Sequence, residues 1–139
     1  MFITPSDYDA TVHREILDSL TRDDPQIIQI CQDRAIEEVQ AYLAKRYDTN
    51  AIFAATGSDR LQIIVMMTVD IAVYHIFCIH NPHKLSDIRK DRYNRAIEWC
   101  KAVSREEISI PGAPLLPADD RAANAKLMFA SNPKRDSSL

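Results

Sequence analysis

Apolar positions recur at helical spacing along most of this chain. Ile28, Cys31, Ala35, Val39, Tyr42 and Leu43 fall at the three- and four-residue intervals that place side chains on one face of a helix. Asp24 ahead of them can accept from free amides of a first turn, and Pro25 suits the first helical position, where its missing N–H is not needed. The pattern predicts a first long helix there. Two shorter helices are expected before it. Thr4-Pro5-Ser6-Asp7 combines a capping hydroxyl, a proline and an acid three residues past the cap. A second segment runs through Ile16, Leu17 and Leu20 to the polar Thr21-Arg22-Asp23-Asp24 turn.

From Ile63 to Ile79 the chain is apolar nearly all round, so this helix must be enclosed by the others. Ser58 reads as its cap, and Asp48 to Ser58, with Gly57, as the loop leading into it. Asn81-Pro82 interrupts the run. From about Ser86 a last helix carries Tyr93, Ala96, Ile97, Cys100 and Val103 on one face, with Asp91 and Arg95 supporting its exposed side. Ile108-Ser109-Ile110 then alternates briefly, and Pro111, Gly112, Pro114 and Pro117 block a regular helix. Arg121 to Ala130 suits one or two further helical turns. The expected architecture is all-α: a small helical bundle with a central apolar helix over residues 1–110, and an extended, Pro-containing C-terminal tail over 111–139.

A length of 139 residues suits one domain. A net charge of −3 with 27% charged residues lacks the basic excess of an autonomous nucleic-acid binder. Cys31, Cys78 and Cys100 are widely spaced in apolar surroundings, which suits reduced core thiols in a reducing cytoplasm better than a disulfide framework. The opening Met1-Phe2-Ile3-Thr4-Pro5 has neither signal-peptide nor lipidation character. Leu61 to Ile79 is long enough for a membrane span, but Asp70 at its centre, with Gln62, Thr68 and His75, favours a protein core.

His75, Cys78, His80 and His83 form the one cluster of metal-ligand types. His80 points away from the His75–Cys78 face, and Pro82 separates His83, so no metal or other cofactor is expected. Asp70 must be paired or solvated, because an isolated carboxylate in an apolar helix is costly. Arg46 and Arg92 are its candidate partners in a structural pair. No Ser, His and Asp grouping appears, and two glycines in the whole chain exclude phosphate loops, so no catalysis is expected. Lys84, Arg89, Lys90, Arg92, Arg95, Lys101 and Arg105 make the last helix basic, while the chain before Asn50 carries more acids than bases. This polarity steers neighbouring copies together, lines a surface near nucleic acid, or is an ordinary solvated face with local ion pairs, with Arg89, Lys90, Arg92 and Arg95 as the basic face. Leu115, Leu116, Leu127, Met128 and Phe129 give the tail more apolar bulk than a linker needs. They are read as an assembly tail lying across an adjacent subunit; an intramolecular brace is the rival reading.

Several segments together resemble a known family. They are Thr4-Pro5-Ser6-Asp7, Ala41-Tyr42-Leu43-Ala44-Lys45-Arg46-Tyr47, Asp70-Ile71-Ala72-Val73-Tyr74, Arg92-Tyr93 followed by Ala96 and Trp99, and Ile108-Ser109-Ile110-Pro111. In this order and spacing they resemble the Mu-like phage and prophage proteins of unknown function that are grouped with head-completion and head–tail connector components. The likeness covers the first four-fifths or so of the chain. In place of the glycine expected before Ile-Ser-Ile the sequence has Arg105-Glu106-Glu107, and its Pro-rich tail is longer than the pattern requires. The resemblance implies an all-helical virion structural protein, an adaptor subunit that joins a ring at the portal vertex with DNA passing through its centre. Its partners would be copies of itself, portal and tail-completion proteins. Its place would be the bacterial host cytoplasm during assembly and then the virion neck. A small helical nucleic-acid-binding regulator using the basic last helix is the alternative.

Overall fold

The computed structural model describes residues 1–22, 24–80 and 85–117, apart from the side chain of His80. Among these residues there are six α-helices: α1 (Pro5–Asp9), α2 (Arg14–Thr21), α3 (Pro25–Leu43), α4 (Thr49–Ala54), α5 (Gln62–His80) and α6 (Asp87–Ser104). The all-α expectation holds. Leu127, Met128 and Phe129, with Lys84 and His83, lie outside the described residues.

α5 is the centre. Every residue from Met67 to Val73 is buried, and α3, α6, α1 and α2 all pack on it. By length and composition α5 could cross a membrane, yet over half of the candidate span is covered by the protein's own helices. α3 meets it through Cys31, Ala35, Val39 and Leu43, four residues apart and each no more than 1% exposed. α6 contributes Ala96, Cys100 and Val103. It runs antiparallel to α5, and three contacts fix the register. The Arg89 guanidinium lies 5.4 Å from the centre of the Phe77 ring, Tyr93 stacks on Tyr74 at 3.9 Å, and Arg95 reaches Asp70.

The helix starts follow from local chemistry. Asp24 accepts from the Gln26 amide, Ser86 from the Arg89 amide, and Asp7 from the amide and hydroxyl of Thr4. Two expectations need correction between α3 and α5. The presumed loop contains α4, capped by Asp48 through the Ala51 amide; it buries Ile52 and sets Phe53 edge-on to Phe2 with ring centres 4.7 Å apart. Six residues are too few to show a helical period. Ser58 does not cap α5 but lies in a 3-10 turn, Gly57–Asp59, with Gly57 at φ 58°, and α5 begins four residues later at Gln62. Leu61 starts it, its carbonyl accepting from the amides of Ile64 and Val65.

α6 ends in a Schellman turn. The Glu106 amide donates to Val103 O and the Glu107 amide to Ala102 O, while Glu106 takes φ 62°. This is the conformation in which glycine is favoured, and Glu106 stands where the resemblance leads one to expect a glycine. The chain then continues past Pro111 onto its own bundle. The Tyr47 hydroxyl accepts from the Ile110 amide at 3.0 Å, Asp48 N–H donates to Pro114 O at 2.9 Å, and Leu116 N–H donates to Arg46 O at 3.0 Å. Tyr47 and Leu115 thereby form an antiparallel bridge. The first part of the tail, up to Leu116, is thus held against its own bundle as an intramolecular brace.

Val69 is 1% exposed, and Val69→Asp is expected to abolish the cooperative thermal transition. An unpaired charge there costs several kcal/mol against a total stability of about 5–15 kcal/mol. Glu106→Gly should instead raise the melting temperature, by up to about 1 kcal/mol of stability, because it relieves a left-handed side-chain residue at a small entropic cost. Circular-dichroism melts check both.

Candidate assembly surfaces

The buried charge on α5 is answered by an arginine other than those expected. Asp70, with its side chain 3% exposed, accepts from Arg95 Nη2 at 2.6 Å. Antiparallel packing sets the middle of α5 against the middle of α6, which brings Arg95 level with Asp70. Arg92 lies one turn nearer the start of α6, beside the Tyr74 level. Arg46 is beyond the end of α3, its guanidinium 5.6 Å from the Tyr47 ring centre. Asp70 is thus held in the structural pair the sequence calls for, with a different partner.

The same register alters the expected basic face. Arg89 turns inward, donating to Thr11 O at 3.0 Å, and burial pushes its pKa below the usual arginine value. Arg95 is tied to Asp70, which leaves Lys90 exposed and Arg92 half-buried. Two of the four proposed surface cations therefore serve the fold.

His75 engages Glu38 of α3 instead of Cys78, its Nε2 lying 3.0 Å from Glu38 Oε2; Tyr93 OH donates to the other carboxylate oxygen at 3.1 Å. Burial first, and the Glu38 charge second, push the Tyr93 pKa up to about 12. Among the described residues no group of three or more His, Cys, Asp or Glu could hold a metal ion. Burial, then Glu38, drives the Cys100 thiol up to about 12, and burial raises Cys31, so neither is a thiolate at neutral pH. This polar cluster joins α3, α5 and α6.

Two surface features stand at opposite ends of α3. At its start a groove of about 310 Å³ opens between the N-terminal segment, α2 and α3. Ile3, Tyr8, Leu17 and Ile28 make it apolar, Met1 stands at its edge 73% exposed, and Asp9, Arg14 and Asp18 border it. Tyr8 and Gln32 close the floor, with Tyr8 OH donating to Gln32 Oε1 at 3.1 Å. The wall is fixed by Arg60, which donates to Phe2 O at 2.6 Å and grips both oxygens of Asp7. Burial opposes ionisation of Asp7, but the bonds from Arg60 and Thr4 outweigh it and hold its pKa below the ordinary value. At the other end of α3 the tail is rooted, with Leu115 45% exposed and Leu116 half-buried. The sequence signalled the tail; the groove escaped it, because its lining comes from three separate segments.

Residues 2–128 match the family described as Bacteriophage Mu, Gp36. The chain belongs to the bacteriophage Mu Gp36 family. It is a phage protein, as the resemblance of its helical segments implies. No curated protein and no solved structure matches this family member.

Removing Arg95 leaves the Asp70 carboxylate buried without its cation. Arg95→Ala is expected to destabilise by roughly 1–3 kcal/mol, less than a fully buried pair because Arg95 is 51% exposed. Asp70→Asn should cost less than Arg95→Ala, since it leaves no buried charge. Chemical denaturation of the two variants gives the order, and equal stability with the parent in both would refute the pair's role.

Proposed function

We propose that this Gp36-family protein is a head–tail connector subunit, an adaptor or head-completion component that acts by assembling at the portal vertex. The observation that carries this reading is the pair of unlike surfaces at opposite ends of α3: a preformed apolar groove at one end and the root of an apolar tail at the other. Head-to-tail rings need two different faces on each subunit. The acidic N-terminal half and basic α6 give such contacts a direction. The partners are further copies of the chain together with portal and tail-completion proteins. The sites of action are the host cytoplasm during assembly and then the virion neck. A DNA-binding regulator is less well supported, because Arg89 turns into the fold and Arg95 is paired with Asp70.

Sedimentation of the chain alone and mixed with the portal protein of the same phage tests the proposal. A ring or a joint complex is expected, at least with portal. A chain that stays monomeric in both conditions overturns it.

A further inference from the structure

Resting on that connector reading, we infer that the groove between the N-terminal segment, α2 and α3 receives the Lys126-Leu127-Met128-Phe129 segment of a second copy. The groove is apolar, and its volume lies at the lower end of the roughly 300–1,000 Å³ typical of ligand sites, room for one or two large side chains. Its border is unevenly charged. Arg14 is paired with Asp9, donating from Nε at 3.1 Å, whereas Asp18 has no cationic partner among the described residues. An apolar pocket beside an unanswered carboxylate suits a ligand with large apolar side chains next to a cation. In this chain Lys126 directly precedes Leu127, Met128 and Phe129, and Lys134 and Arg135 follow.

Reach favours a second copy over the same one. Ile28 at the groove and Leu43 near the tail root are fifteen residues apart on one helix, about 22 Å. From Pro117 to Leu127 a fully extended chain spans at most about 35 Å. That exceeds the straight-line separation by about 13 Å, and a path to its own groove must spend that slack following the surface of the bundle. Between neighbours in a head-to-tail ring, the tail root of one subunit faces the groove end of the next, and no such detour is needed.

The test uses the full-length chain carrying Gln29→Cys on the exposed edge of the groove helix and Ala130→Cys beside the apolar segment, with Cys78→Ser to remove the accessible native thiol. Mild oxidation in the presence of portal protein should give chains linked between subunits. Adding Leu127→Asp should lower that yield at least about tenfold, as a charge facing the groove would, without changing the melting temperature. Links formed only within single chains would overturn the proposal in favour of a brace in the same subunit. Assembly that forms without any link, or that ignores Leu127→Asp, would overturn the groove pairing and leave the connector reading intact. Absence of assembly with portal would overturn both.

Discussion

The fold depends on covering the middle of α5 from every side. A helix that is apolar all round cannot leave a face in water, so its neighbours are obliged to enclose it. α3 and α6 take the two long sides, and the short α1 and α2 close much of the rest. Because α5 and α6 are nearly equal in length and antiparallel, enclosure also fixes their register. Phe77, Tyr74 and Asp70 therefore meet Arg89, Tyr93 and Arg95 in that order. The Asp70–Arg95 pair follows from this arrangement. Once Asp70 lies in the covered middle of α5, a cation must come from whatever the register places opposite it.

Polar groups then tie the irregular parts to this core. Arg60, just ahead of α5, clamps Asp7 and the Phe2 carbonyl, so the N-terminal segment is held where it forms a wall of the groove. Tyr47, just after α3, does the same for the far end, its buried hydroxyl accepting from Ile110 while its backbone pairs with Leu115. Each clamp sits next to one end of a core helix, where free backbone groups are most in need of partners. The two ends of α3 consequently differ in chemistry: one is an open apolar groove, the other the departure point of a chain segment.

What could be read in advance depended on the length of the signal. The four apolar residues of α3 at four-residue spacing, the Asp24-Pro25 and Ser86 starts and the unbroken apolar run of α5 are long or chemically distinctive, and their helices lie where the sequence puts them, except that α5 starts four residues after its expected cap. α4 was invisible because one buried residue, Ile52, sets no period. The choice of Arg95 over Arg92 or Arg46 required the antiparallel register, which is a property of two helices and not of either sequence alone. The groove was illegible for a similar reason. Ile3, Leu17 and Ile28 each look like ordinary core residues until three elements place them round one opening. The tail's apolar character was legible, but its first part braces its own domain through backbone bonds that no side-chain pattern reveals.

The brace changes how the remaining tail can act. A segment hanging from residue 110 onward would lose much entropy on docking elsewhere, and its free ends would search a wide volume. Pairing of Asp48 with Pro114 and of Arg46 with Leu116 moves the point of departure to Pro117. In the proposed docking this shortens the chain between its anchor and Leu127, which raises the effective concentration of that segment near an adjoining subunit. The prolines at 111, 114 and 117 contribute in the same sense, since each removes backbone freedom the unbound tail would otherwise have. In the proposed docking, the intramolecular brace and the intermolecular contact are thus successive parts of one device, the first aiming the second.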